Sequence, residues 1–147
     1  MKKGTAIIGG TAGAVALNLL HEAYRQIDAD APHIHLIGEE ALVKILKTVH
    51  LPLPNNKKEL YRWTLAGDVL SNAAYFSLLG LVESKHILRR GLILGSAAGV
   101  GAVFMPQKMG LNNAPSDRTM ETKILTVLWY TLGGLAAAGV MKVLRKK

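Results

Sequence analysis

Apolar residues in this chain collect into four long runs, 4–20, 63–82, 91–105 and 124–141, separated by polar stretches. The runs hold 17, 20, 15 and 18 residues, and Asp68 is the single charged residue inside them. A helix that crosses the hydrocarbon of a bilayer needs about 20 mostly apolar residues. The third run is short, but Arg89 and Arg90 before it can snorkel and add a turn. The pattern therefore predicts an all-α integral membrane bundle of four transmembrane helices, spanning about 4–23, 60–83, 88–106 and 123–143. It forms a single membrane domain over 1–147, with no room for a separate soluble module.

A fifth element is expected between the first two runs. Leu42, Ile45, Leu46 and Val49 fall at i, i+3, i+4 and i+7, and Glu40 with Lys44 makes a favourable i, i+4 pair. Pro52 and Pro54 end the pattern. It predicts an amphipathic interfacial helix at about 39–50, lying on the membrane or capping the bundle. Asn56 and Glu59 then resemble a capping box for the second span, and Tyr61 and Trp63 suit the membrane–water interface.

Small residues four apart mark the helix-packing faces. Gly9 and Gly13, Gly10 and Ala14, and Gly95 and Gly99 show this spacing, and Gly133, Gly134 and Gly139 surround Ala136–Ala138. Such faces let backbones approach closely in lipid. Residues 8–13 also resemble 94–99, as a parallel internal repeat would, although Gly/Ala composition accounts for the likeness equally well.

Charge orients the bundle. The net charge is +8, which in a soluble chain would suggest nucleic acid. Here Lys2, Lys3, Lys85, Arg89, Arg90, Lys142, Arg145, Lys146 and Lys147 gather at one set of span ends, opposed only by Glu83. The opposite side holds nine Lys/Arg and eight Asp/Glu. Lys/Arg in short segments marks the cytoplasmic face, so both termini are expected there, with loops 22–62 and 106–123 outside. The expected surroundings are membrane lipids, with no nucleic-acid partner. The first run also has the form of a secretory signal, with Ala14-Val15-Ala16 as a cleavage site. Retention is expected, because cleavage would leave three spans and abolish the asymmetry. The absence of Cys excludes disulfides, thiolate metal sites and cysteine nucleophiles.

The candidate chemistry lies in two polar stripes. Asn18, His21, Glu22 and Arg25 share one face of the first helix. Asp68, Ser71, Asn72 and Tyr75 share one face of the second. At 1.5 Å per residue both stripes reach the outer half of the bilayer and can face each other. A lone carboxylate in hydrocarbon costs a few kcal/mol, so Asp68 should face the bundle interior and pair or carry a proton. The competing reading is an interhelical clamp, in which Asp68 and Asn72 hydrogen-bond Asn18 and His21 at about 1 kcal/mol each. His33 and His35, near Glu39 and Glu40, are the only candidate metal ligands, but they match no zinc signature. No cofactor is implied: phosphate-binding, dinucleotide and nucleophile-elbow motifs are absent.

Several segments together resemble the YagU-like family of bacterial inner-membrane proteins, a domain of unknown function. They are the Gly-rich first span ending in polar residues, Leu65-Ala66-Gly67-Asp68-Val69, and Gly91-Leu92. Phe104-Met105-Pro106, Met109-Gly110-Leu111 and Pro115 complete the set. The chain departs from the family in its first loop, with His33 and His35, and in Asp68, where a histidine is expected. The resemblance implies a multi-pass protein of the bacterial inner membrane and carries over no catalytic residues.

The preferred reading is a non-enzymatic pocket, open to the outer side, that binds or permeates a small polar solute, proton or lipid headgroup. Asn18, His21, Glu22, Arg25, Asp68, Ser71 and Asn72 would line it. Four short helices leave little room for a pore in one protomer, so permeation would need a homo-oligomer. The alternatives are a lipid-headgroup-modifying enzyme, with His21 and Asp68 as acid and base, and a structural or accessory subunit.

Overall fold

The computed structural model describes residues 3–27, 31–81 and 85–145. Lys2, Asp28, Asp30, Glu83, Lys146 and Lys147, which enter the charge asymmetry, lie outside them. The described residues are all-α: α1 (Lys3–Arg25), α2 (Ile34–Thr48), α3 (Lys57–Ser77), α4 (Ile87–Lys108), the short α5 (Ala114–Asp117) and α6 (Met120–Leu144).

Helices α1, α4 and α6 are long and apolar enough to cross a membrane. The short third run becomes a helix of 22 residues, about 33 Å long, because the flanking turns are also helical. Helix α3 does not meet the same measure, which corrects the expectation of four such spans. Its first turns carry Lys57, Lys58, Glu59 and Arg62, and Asp68 sits at its middle. The α-helix stops at Ser77 and tightens into a 3-10 turn at Leu78–Gly80, well short of residue 83. The apolar run therefore overstates the length of regular helix.

Glycines set the packing order. A Cβ on Gly91 would lie 2.5 Å from the Gly134 carbonyl oxygen, and one on Gly99 2.6 Å from Val127 Cα. Gly13 meets the Gly133 carbonyl oxygen at 2.6 Å in the same sense. Helix α6 is thus the centre of the bundle, with α1 and α4 antiparallel to it on either side. Both similar hexapeptides turn their glycines to α6, but at different depths: Gly9 and Gly13 meet Gly133–Met141, while Gly95 and Gly99 meet Val127–Thr131. Gly10 turns to α3, where it faces Ala73 and Ser77. Ser77 Oγ donates to the Ala6 carbonyl at 3.1 Å, and at the other end Tyr61 Oη donates to Glu22 at 3.2 Å. Helix α3 therefore runs antiparallel to α1 along nearly its whole length. Leu17, Phe76, Trp129, Tyr130, Ala137 and Met141 fill the core between these helices.

At one end, α2 and the segment before α5 are tied together by hydrogen bonds. Helix α2 begins at Ile34, a turn earlier than its apolar spacing predicts, because the His33 amide is held by the Pro115 carbonyl at 2.9 Å. Lys44 Nζ donates to the Met109 carbonyl at 2.7 Å, and Glu40 accepts from the Asn112 amide at 2.9 Å. The expected i, i+4 partners thus reach across to the loop before α5. Leu46 is buried, Leu42 is half-buried, and Ile45 and Val49 face outward. Ile37, outside the predicted stripe, is buried instead. His50 ends α2 in the left-handed region, at φ 57°. Asn56 caps α3 by accepting from the Glu59 amide at 2.9 Å. Glu59 returns to the Asn55 amide at 2.8 Å, one residue earlier than a capping box requires.

Candidate functional site

A cavity of about 270 Å³ lies in the α1–α3 seam, roofed by the first turns of α2. Of the stripe residues, Asn18, His21, Glu22, Arg25 and Asp68 line it. Helical spacing explains this, since residues three and four apart stack on one face. The antiparallel register of α1 and α3 then sets the two faces opposite each other. Gly38 is what lets α2 sit so low: a Cβ there would lie 2.7 Å from Thr64 Cγ2.

Two polar groupings divide the cavity. At the mouth, Arg25 Nη2 donates to both oxygens of Glu22 at 2.8 Å. The same guanidinium stands 5.7 Å from the centre of the Tyr61 ring, and the His35 ring meets Tyr61 edge-on at 5.7 Å. Deeper in, Asp68 Oδ1 accepts from Asn72 Nδ2 at 2.9 Å, and the Asn18 side chain lines the cavity near the same carboxylate. Asn18 Nδ2 donates to the Ala14 carbonyl at 3.0 Å. No Lys or Arg pairs with Asp68 among the described residues.

His21 lies between these groups. Its ring packs 4.8 Å from that of Trp129 and 5.9 Å from that of Tyr130, both on α6. Its Nε2 is buried with no hydrogen-bond partner, as is Thr64 Oγ1 in the cavity wall. Outside the helix pair, burial holds the His35 imidazole below its usual value, and the charges of Arg25 and His33 push the same way.

Two expected residues sit elsewhere. Ser71 is exposed, and its Oγ donates to the Asp68 main-chain carbonyl at 3.1 Å. It belongs to the helix surface, one position around from the cavity. Asn72 is buried behind Asp68 and supports the carboxylate without lining the space. His35 joins the cavity while His33 does not, and their rings are 5.8 Å apart. Among the described residues, no group of three His, Cys, Asp or Glu could hold a metal ion.

The sequence reading missed Trp129 and Tyr130, which back the cavity, and took Tyr61 for an interfacial residue. One signal was legible: two adjacent aromatics about 13 Å inside the start of α6, far from an interfacial belt. No protein-family model, characterised protein or solved structure matches this chain.

Proposed function

We propose that this is a multi-pass protein of the bacterial inner membrane, related to the YagU-like family. Its α1–α3 cavity binds a small polar solute or lipid headgroup from the outer side without chemical conversion. Helix α3 acts as the fourth crossing. It is too polar to be read as a span by itself, but it lies alongside α1 from Ala6 to Glu22, so it occupies the same depth. Its charged first turns sit where the loops are long, and its carboxylate turns inward. The basic α1, α4 and α6 ends lie together at the opposite pole, which supports a cytoplasmic side for both termini. The exposed Ile45 and Val49 of α2 suit a helix resting on the outer membrane surface.

One observation carries the binding reading. A carboxylate without a charged partner and an imidazole line one cavity, and the Nε2 of that imidazole is buried without a hydrogen-bond partner. A structural clamp would use up its polar groups and close the space around them. The enzyme reading has less support, since among the described residues no metal-binding group of three stands beside His21.

The chain has no Cys, so single cysteines report directly on access. In spheroplasts, Cys at Val15 or Val69 should react with a membrane-impermeant thiol reagent. Cys at Leu17, buried against α6, should not. Labelling of the two cavity positions only from the cytoplasmic side, or from neither side, refutes the outward-facing pocket.

A further inference from the structure

We propose that the cavity takes a primary alkylammonium group, with its charge on Asp68 and its hydrocarbon chain along Val15, Leu19, Leu65 and Val69. This rests on the binding reading of the cavity and adds the class of ligand.

The charges present decide the sign of the ligand. An anion would need a free cation, and the guanidinium in the cavity is Arg25. Both Glu22 oxygens already hold it at 2.8 Å, and it also stands over Tyr61. The Asp68 carboxylate is different. Its hydrogen-bond partner is the neutral Asn72 amide, with the Asn18 amide near it in the cavity wall, and neither cancels its charge. A carboxylate has about four acceptor positions, so one donor leaves room for more. In low dielectric an uncompensated carboxylate must take up a proton or a cation.

The surroundings decide what kind of cation fits. A metal ion needs several oxygen or nitrogen ligands, and no such triad exists among the described residues. An ammonium needs acceptors for three N–H groups. Asp68 supplies the charged acceptor. The His21 imidazole, which lines the same cavity, supplies another from its unprotonated ring nitrogen. The remaining walls are largely aliphatic, which a hydrated inorganic ion would not use but an alkyl chain would. About 270 Å³ far exceeds the roughly 15 Å³ that one water requires, so a short chain fits behind the nitrogen.

Trp129 is a built-in reporter, 4.8 Å from the His21 ring, and the chain has only one other tryptophan, Trp63. The experiment uses Trp63→Phe protein in lipid nanodiscs near neutral pH, titrated with hexan-1-amine, hexan-1-ol and hexanoate. Hexan-1-amine should change Trp129 emission saturably and bind tightest of the three. Asp68→Asn, which keeps the side-chain shape, should weaken it by about 30-fold or more. Binding of hexan-1-ol should be the same in both proteins, which also reports that the variant is folded. If the alcohol or hexanoate binds as tightly as the amine, or Asp68→Asn leaves the amine unaffected, the ammonium assignment is wrong while the pocket stands. If none of the three saturates, the binding reading itself fails. It fails equally if the responses survive Val69→Phe, which fills the cavity, because the probes are then reporting partition into lipid.

Discussion

Replacing Gly95 with Ala should weaken the bundle, although Ala is the better helix former. An ideal Cβ on Gly95 lies 2.6 Å from the Tyr130 carbonyl oxygen and 2.7 Å from Thr131 Cα. Ordinary contact begins at 3.4 Å, so the shortfall is about 0.8 Å. Both opposing atoms are backbone and cannot rotate away, so α4 must withdraw from α6 as a body. That movement stretches the hydrogen bond between Ser96 Oγ and Thr131 Oγ1, now 3.0 Å, beyond useful length. Overpacking costs about 1–3 kcal/mol, and an interhelical hydrogen bond in lipid is worth about 0.6 kcal/mol. The intrinsic gain of Ala over Gly in a helix, about 0.5–1 kcal/mol, offsets part of this. A net loss of about 1–3 kcal/mol remains. Gly67 is the matched control. A Cβ there meets nothing within 4 Å, so Gly67→Ala should keep the intrinsic gain of about 0.5–1 kcal/mol. Reversible unfolding by SDS in mixed micelles, followed by far-ultraviolet circular dichroism, measures both. If the two variants agree within about 0.5 kcal/mol, glycine packing does not hold α4 to α6 and the argument fails.

Asn72→Leu should cost about 1–3 kcal/mol in the same assay, because it strips a donor from Asp68 and leaves polar atoms buried without a partner. A cost close to zero would mean that water already serves the carboxylate. Arg25→Ala should cost less, about 0.2–1 kcal/mol, since the Glu22–Arg25 pair is about one-third exposed and partly screened; a loss as large as that of Asn72→Leu would show the pair to be desolvated. Because the His35 imidazole is held below its usual value of 6.5, the fold resists its protonation. Stability that is complete above pH 6.5 should therefore fall as the medium is acidified through and below that value. Labelling of a single Cys at Thr64, beneath α2, should rise over that range in the otherwise native chain but not with His35→Gln. A rise of equal size in both would assign the effect to another group. Reporter fusions after Lys147 and between Asn55 and Asn56 should read opposite sides of the membrane; the same side for both would refute the topology.

Local chemistry made part of this protein legible from the amino-acid order alone. Period and length identify α1, α4 and α6, because a segment without charge over about 20 residues has few soluble alternatives. The stripe Asn18–Arg25 and its counterpart at Asp68 were readable for the same reason: a charged or amide side chain inside an apolar run has few tolerable directions. The Gly spacings announced close packing, but not the partner. Gly10 and Gly13 are near neighbours in sequence, yet one meets α3 and the other α6. Only the assembled bundle decides that, since a small residue fits any backbone that comes near. The start of α2 depends on the Pro115 carbonyl, more than 80 residues away from the His33 amide it accepts. Helix α3 carries a strong apolar run, and the tertiary structure still ends it at Ser77, where that residue's hydroxyl reaches the Ala6 carbonyl. His35 lines the cavity, and Trp129 and Tyr130 back it through His21, for a similar reason. Their own neighbours in sequence say only that they are aromatic or polar, and their role comes from which helix lies beside them. Periodicity is a property of one segment and survives in isolation. A cavity is a property of three segments at once, and it exists only after their faces have been set against each other.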